Sequence, residues 1–462
     1  MKAAPTAFEK FELEQSLFDL QVREVPVWER IRFEVFQEIR RQNGTGRAHT
    51  AVGNDWRDYA RGTSLLLRNL VIKNPYFSEE SDLLFVGHHR RKQLDDGYWW
   101  DIYCDPIHEA GSYDFTHFEK DHMLSHASPP RTANLRYLDL IEQVSNIQRV
   151  LKINSPVIPP KTKDTLERAR KALLSRFDAD IDLVAKVKKV LHERRAKLPL
   201  YKRLVKRVDP ELVVVVVSYG RETLIEACKS QDVPVAELQH GVVSKHHFGY
   251  SFPGPRTKTT FPDYFLAFGD FWKQSVDFPV PESHVIPVGY PFLEQSIGKY
   301  SDAEATDKLI FISQGTVGRT LSKFAVELNQ HPNADYDIIY KLHPGEYDRW
   351  RTEYPWLETT ELEVVEDGKN LYRLFSEASA QIGVGSTAIY EGLAFDLQTF
   401  IYDCPDAEVM EPLVDENAAT KISTTDELAS SLGTASPQFD QSYYFESNSV
   451  EKACEVFDDL RK

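Results

Sequence analysis

Ala380-Gln381-Ile382-Gly383-Val384-Gly385-Ser386-Thr387 is the stretch that decides the fold. An apolar β-type run over Ala380–Val384 ends in glycines and hydroxyls, then gives way to a helical pattern at Thr387–Ala394 with Glu391 one turn in. Strand, glycine turn and helix in that order make one step of a parallel α/β sheet, and ligands gather where such strands end. Two more segments have the same grammar. Val233–Leu238 leads into Gln239-His240-Gly241, and Tyr336–Tyr340 leads into Lys341-Leu342-His343-Pro344-Gly345.

Outward from these segments the alternation covers most of the chain. Strand runs at Leu83–Val86, Leu135–Leu140, Leu212–Val217, Val233–Leu238, Tyr264–Phe268 and His284–Val288 predict a first parallel α/β domain. After Gly289-Tyr290-Pro291 and the polar stretch Lys299–Asp307, read as a hinge, the pattern restarts. Strands are expected at Leu309–Ser313, Tyr336–Leu342, Leu362–Val365, Ala380–Val384 and Thr399–Tyr402, and helices near Thr320–Asn329 and Asn370–Ala378. Before the first strand, Phe8–Ile39 recurs at helical spacing, divided at Val25-Pro26-Val27. A closing helical pattern at Gln441–Lys462 is expected to cross back to the first half. The expected organisation is a helical extension over 1–80, an acceptor-side domain over 81–295, a donor nucleotide-binding domain over 296–440 and the C-terminal helix over 441–462.

Composition limits the function classes. A chain of 462 residues, 42% apolar and 12% aromatic, has material for two domains. The first dozen residues are charged and lack an apolar core, against a secretory signal, and the longest aliphatic run is too short to span a bilayer. Cys104, Cys228, Cys404 and Cys454 are far apart with no CxxC spacing, so they are expected to be free thiols in a cytoplasmic protein rather than a zinc site or disulfide framework. Net charge is -16, yet residues 150–210 hold 17 Lys or Arg against 7 Asp or Glu. That basic stretch, densest at Lys186–Arg207, is either a solvated helix face or a contact for an anionic membrane surface or polyanionic acceptor. Nucleic acid is not expected, because the chain as a whole is acidic and carries no recognition module.

The motifs suggest particular chemistry. Gly385, Ser386 and Thr387 offer close backbone approach and two hydroxyls to a phosphate, and Glu391 can accept from a ribose. His343, held extended by Pro344, can donate to a nucleotide oxygen, with Lys341 nearby. Gln314 and Gly315 sit in a glycine-bearing loop where a pyrophosphate can rest, though the spacing matches neither a P-loop nor a dinucleotide fingerprint. His240 is suited to take a proton from an acceptor hydroxyl. Asp96, in Asp95-Asp96-Gly97, is the rival base, and the adjacent Tyr98, Trp99 and Trp100 could stack on a sugar. Lys245-His246-His247 points its histidines to opposite faces, and no Asp-x-Asp stands at a strand end, so neither a metal nor any other cofactor is expected.

The pair His343-Pro344 and Ser386-Thr387 resembles the HP and Ser/Thr motifs of bacterial sialyltransferases and polysialyltransferases of GT-B architecture. Similar elements occur in capsule Kdo transferases and in CDP-glycerol glycerophosphotransferases. The resemblance implies a GT-B fold, two Rossmann-like domains facing a central cleft, with His343, Ser386 and Thr387 on the donor nucleotide. Asp95-Asp96-Gly97 is similar to the sialyltransferase motif that bears the base, although it lies earlier in the chain. Gln239-His240-Gly241 is closer to the His-Gly of the glycerophosphotransferase and capsule enzymes. The implied activity is a metal-independent, inverting glycosyltransferase of surface glycan or polysaccharide assembly. It would use a nucleotide-sugar or CDP-alditol donor and a glycan or lipid-linked acceptor at the inner face of the cell membrane. A glycerophosphotransferase, a non-hydrolysing UDP-sugar epimerase and a non-catalytic sugar-nucleotide scaffold are the alternatives.

Overall fold

The computed structural model describes residues 5–44, 56–153, 155–254, 256–332, 336–404, 406–434 and 439–461, so parts of the expected N-terminal extension, 1–4 and 45–55, lie outside the described residues. The chain divides into two compact units. Unit 1 comprises Met1–Phe268, Trp272–Pro291 and Asn448–Lys462, and unit 2 comprises Gly269–Phe271 and Phe292–Ser447.

Unit 1 is built on seven parallel strands: β1 (Leu83–Val86), β2 (Phe115–Glu119), β3 (Leu135–Tyr137), β4 (Leu212–Val216), β5 (Val235–Leu238), β6 (Tyr264–Ala267) and β7 (Val285–Pro287). Their spatial order is β7-β6-β5-β4-β1-β2-β3. The chain starts at β1, winds out through β2 and β3, then returns to lay β4 on the other side of β1. The reversal between β1 and β4 is the topological switch point of a doubly wound sheet. Every residue of β4 is buried, which explains its unbroken aliphatic run: helices cover both faces.

Unit 2 has six parallel strands: β8 (Lys308–Ile312), β9 (Asp337–Lys341), β10 (Glu363–Val365), β11 (Ala380–Gly383), β12 (Gln398–Tyr402) and β13 (Thr420–Ile422). Their order, β10-β9-β8-β11-β12-β13, is the Rossmann order 3-2-1-4-5-6, with the switch point between β8 and β11. The expectation of two Rossmann-like α/β domains is met.

Several expectations need correction. The Phe8–Ile39 pattern is two helices, α1 (Pro5–Glu14) and α2 (Arg32–Gln42), separated by a small antiparallel pair, Gln21–Val22 with Val25–Pro26. Arg23 and Glu24 turn that pair with positive φ, and Pro26 has no N–H for a helix to use. The stretch Lys299–Asp307, read as hinge, follows a helix at Pro291–Lys299, close to where the units divide. Strand β2 went unread because Thr116, His117 and Glu119 break its apolar pattern, although all three are buried. Asp95-Asp96-Gly97 turns a short antiparallel pair, Arg91–Gln93 with Trp99–Asp101, with Gly97 at φ 84°.

The remaining helices that bear on the site are α3 (Trp56–Asn69), α4 (Asp105–Ala110), α5 (Asp139–Val150), α6 (Pro160–Phe177), α7 (Leu183–Val208), α8 (Glu222–Lys229), α9 (Gly318–Asn329), α10 (Thr387–Leu393) and α11 (Ser449–Leu460). In unit 1 the N-terminal segment shares one core with α6 and α7, built on Phe8, Phe11, Trp28, Val35, Phe177, Leu183 and Phe248. Buried Arg32 holds Glu12 through two hydrogen bonds of 2.7 Å. Helix α11 returns to unit 1, with Phe457 edge-on to Phe85. Among the described residues no helix is long and apolar enough to cross a membrane.

Candidate functional site

In unit 1, polar side chains collect on the loops that leave β1, β4 and β5. Across the switch point, Arg221 Nη2 donates to Gly87 O at 2.6 Å, tying the β4 loop to the end of β1. The β4 loop carries Tyr219 between Val217 and Gly220, both at positive φ. Gln239 is buried and fastens the β5 loop: its amide donates to Gly241 O at 2.9 Å and accepts from Phe268 N at 2.8 Å. The His240 carbonyl is held by Tyr103 Oη at 2.8 Å and Arg90 Nη1 at 3.4 Å.

The His240 ring lies between two tyrosines. Tyr250 Oη donates to Glu237 Oε1 and stands 3.3 Å from His240 Nδ1, while Tyr219 Oη is 3.2 Å from His240 Nε2. With Glu237 ionised, Tyr250 gives it its own proton, and the Tyr250 oxygen then accepts from Nδ1–H. This fixes the tautomer and leaves Nε2 as the basic nitrogen. Burial, then the charges of Arg90, His247 and Arg221, hold the imidazole well below its ordinary pKa, so it is neutral at pH 7. Burial lifts the Glu237 carboxyl to about 7. An imidazole oriented by a hydroxyl that is itself oriented by a carboxylate has the connectivity of a catalytic triad.

Asp96 sits differently. It is on the exposed hairpin turn, accepts from Tyr98 N at 3.0 Å and pairs with Arg131 at 3.1 Å. Of the neighbouring aromatics, Trp100 is buried with Nε1 on Glu109, while Tyr98 is exposed.

In unit 2 the loops after β8 and β11 meet at the switch point. A Cβ on Gly385 would stand 3.3 Å from Gln314 Oε1 and 3.0 Å from Val409 Cγ2, so glycine lets these loops close on each other. Gln314 Oε1 is a buried acceptor without a hydrogen-bond partner. Ser386 caps α10, accepting from Ala388 N at 3.3 Å. That helix has seven residues, so the hydroxyls and backbone at its start matter more than its dipole. Glu391 accepts from Tyr372 Oη at 3.0 Å.

His343 caps the turn after β9. Its Nδ1 accepts from Gly345 N at 3.1 Å, which puts the proton of a neutral ring on Nε2 as a donor. Its own N–H donates to Glu346 Oε2 at 2.8 Å, and buried Glu346 also accepts from Ser313 Oγ and Tyr354 Oη. Lys341 Nζ donates to Leu342 O, Tyr347 Oη and Glu366 O, and burial lowers its pKa to about 8. It braces the ends of β9 and β10. A cation beside the glycine loop is Arg349, whose Nη2 donates to Gly315 O at 3.3 Å and Nε to Gly345 O at 3.1 Å while its Nη1 pairs with Glu353.

The sequence motifs missed Tyr219, Tyr250, Glu237, Glu346 and Arg349. Only Glu237 carried a signal, a carboxylate inside a buried strand run. The others become partners through tertiary contacts.

The fold and these residues define two Rossmann-type units, one with a histidine ring held between two tyrosines and one with a polar switch-point loop pair. No protein-family model matches the chain, and no curated protein matches it significantly in sequence. Among solved structures, the UDP-GlcNAc 2-epimerase of Methanocaldococcus jannaschii is similar over 81% of this chain and 99% of its own, at 11% identity and a TM-score of 0.49. The Neisseria meningitidis UDP-GlcNAc 2-epimerase bound to UDP-GlcNAc gives 82% and 99%, 11% and 0.49. MurG of Acinetobacter baumannii gives 83% and 99%, 10% and 0.43. At such identities and scores, the fold assignment rests on the two strand orders and the functional assignment on the residues above.

Proposed function

We propose that the protein is a GT-B glycosyltransferase that moves a sugar from a nucleotide-activated donor to an acceptor hydroxyl of a surface glycan, polysaccharide or lipid-linked carrier. The observation that carries this reading is His240, a neutral imidazole whose Nδ1–H is committed to Tyr250 and whose Nε2 is basic. In the proposed step Nε2 displaces Tyr219 and takes the acceptor proton, and the acceptor oxygen forms its bond to the anomeric carbon. The bond from that carbon to the donor phosphate breaks with its electron pair on the nucleotide, inverting the centre. His240 becomes an imidazolium stabilised through Tyr250 by Glu237. Unit 2 holds the nucleotide, with Ser386, Thr387, Gln314, Gly315 and Arg349 at the phosphates, His343 donating through Nε2 and Glu391 at the ribose.

A lipid-linked acceptor and an anionic membrane surface are part of this proposal. Helices α3 and α5 run antiparallel, with Leu140 N on Asn69 Oδ1 and Gln143 against Gly62. Trp56 and Tyr59 thus share one end of the pair with Ile147, Val150 and Leu151, all exposed. Arg57, Arg61, Arg149 and Lys152 are exposed at the same end. Apolar side chains rimmed by cations suit an anionic bilayer.

A second reading is a non-hydrolysing UDP-sugar epimerase, favoured by Glu237, a buried carboxylate next to the base. Product analysis separates the two. The chain is incubated with nucleotide sugars with and without acceptor glycans. Acceptor-dependent nucleotide release and a lengthened glycan support transfer, whereas a C2 epimer formed from donor alone supports the second reading.

A further inference from the structure

We propose that Cys104, His108 and His117 form a zinc-binding site inside unit 1, separate from the His240 loop. Cys104 immediately precedes α4, His108 lies one helical turn on, and His117 is on β2. One donor atom from each lies within 4.8 Å of the others. His108 Nε2 and His117 Nδ1 are 3.1 Å apart, close to the roughly 3.3 Å between two nitrogens on one tetrahedral zinc with ordinary bond lengths. One thiolate and two imidazoles suit zinc better than hard cations.

The surroundings are those of a built site. Cys104 and His117 are fully buried, and His108 is partly accessible, giving a route of entry. Five buried polar atoms without a hydrogen bond cluster here: His108 Nδ1, His117 Nε2, Asp101 Oδ2, Asp105 Oδ1 and Arg91 Nη2. His117 Nε2 faces Asp101 Oδ2 across 3.8 Å, so with the metal on Nδ1 its Nε2–H points at that carboxylate, and closing the gap completes the carboxylate–histidine–metal arrangement. Asp101 Oδ1 meanwhile accepts from Tyr103 N and Cys104 N at 2.9 and 3.0 Å, setting the start of α4. Gly87 makes room, because a Cβ there would be 2.2 Å from His117 Nε2 and 2.8 Å from Asp101 Oδ2. The His108 ring is fixed by stacking on Phe115 at 3.9 Å. Zinc binding releases the Cys104 thiol proton to solvent and joins α4 to β2.

The test uses the full chain with Zn²⁺ and Co²⁺ as probes. Elemental analysis after dialysis is expected to find one zinc per chain. The cobalt-substituted protein is expected to show a thiolate-to-cobalt charge-transfer band in the near ultraviolet, lost in Cys104→Ala and kept in Cys404→Ser. Asp101→Asn is expected to weaken zinc about 10–100-fold, as for other outer-shell carboxylates. Folded wild-type protein that takes up neither metal would overturn the proposal. So would cobalt bound without the thiolate band, which would point instead to the rings of His89 and His122, stacked with centroids 3.9 Å apart, or a band that survives Cys104→Ala. The wild-type measurements do not depend on any variant folding.

Discussion

At the scale of single residues, unit 1 holds two histidines in opposite states. His240 is neutral and is the base of the proposed step, and its environment is tertiary: Tyr219 comes from the β4 loop, Tyr250 from the loop beyond His247, and Glu237 from within β5. The sequence marked His240 by its place after a strand, but nothing in the order of residues brings its tyrosines to it. His126 is the reverse case. Burial alone would lower its pKa, but hydrogen bonds to Asp139 and Glu119 at 2.9 Å outweigh that and raise it to about 9. Folded, it keeps its proton to about pH 9, while unfolded it releases near 6.5. The folded chain therefore binds more protons between those values. The contribution is full below the unfolded pKa and is lost as pH rises through the folded one. With its side chain 4% exposed, the loss is on the order of 3 kcal/mol. Urea unfolding from pH 6 to 9 is expected to show this decline in the wild type and a flatter profile in His126→Gln. Parallel profiles would mean His126 is not the titrating group.

At the scale of elements, strands that end in glycine and hydroxyl residues were legible, whereas the order 3-2-1-4-5-6 and the edge strand Thr420–Ile422 came only with the structure. Strand β2 was not legible, because its buried polar residues find partners outside the strand, Thr116 on Ser81, His117 on His108 and Glu119 on Arg91 and His126, which a hydropathy pattern does not record. The same blindness hid Cys104-x3-His108 and His117, which no CxxC rule finds. For the β8 and β11 loops, the double substitution Ser386→Ala with Thr387→Ala is expected to weaken nucleotide binding by about 1–3 kcal/mol in calorimetry without added divalent cation. Arg349→Ala is expected to do likewise, and unchanged affinity in both would remove the phosphate from this loop pair. For helices α3 and α5, co-sedimentation with anionic vesicles is expected to fall as salt rises and to be lost in Trp56→Ser combined with Leu151→Ser. The basic α7 stretch is a weaker candidate for that contact, since Lys186, Arg194 and Lys197 pair with Glu34, Glu226 and Glu142. Binding that survives the double substitution would return it to α7.

At the scale of the whole molecule, the N-terminal segment, to which the motifs assigned no role, braces the His240 surroundings. Arg32 donates to the carbonyls of Phe248 and Ser251, and Phe33 packs on Tyr219 and His247 at 4.5 and 5.1 Å. Glu12 holds Arg32 and accepts from Trp28 Nε1 at 2.6 Å. Replacing it strands a buried guanidinium, so Glu12→Gln is expected to cost about 3–5 kcal/mol in thermal or urea unfolding. A cost below about 1 kcal/mol would mean the pair is not sealed from water. The central claim is that His240 does chemistry while unit 2 holds the donor. The measurement that reaches it most directly is turnover and donor affinity in His240→Ala, using a nucleotide sugar that the wild type consumes. The expected result is turnover lowered by about 10²–10⁴-fold with the donor dissociation constant nearly unchanged. Unimpaired turnover, or a loss confined to donor affinity, would contradict it.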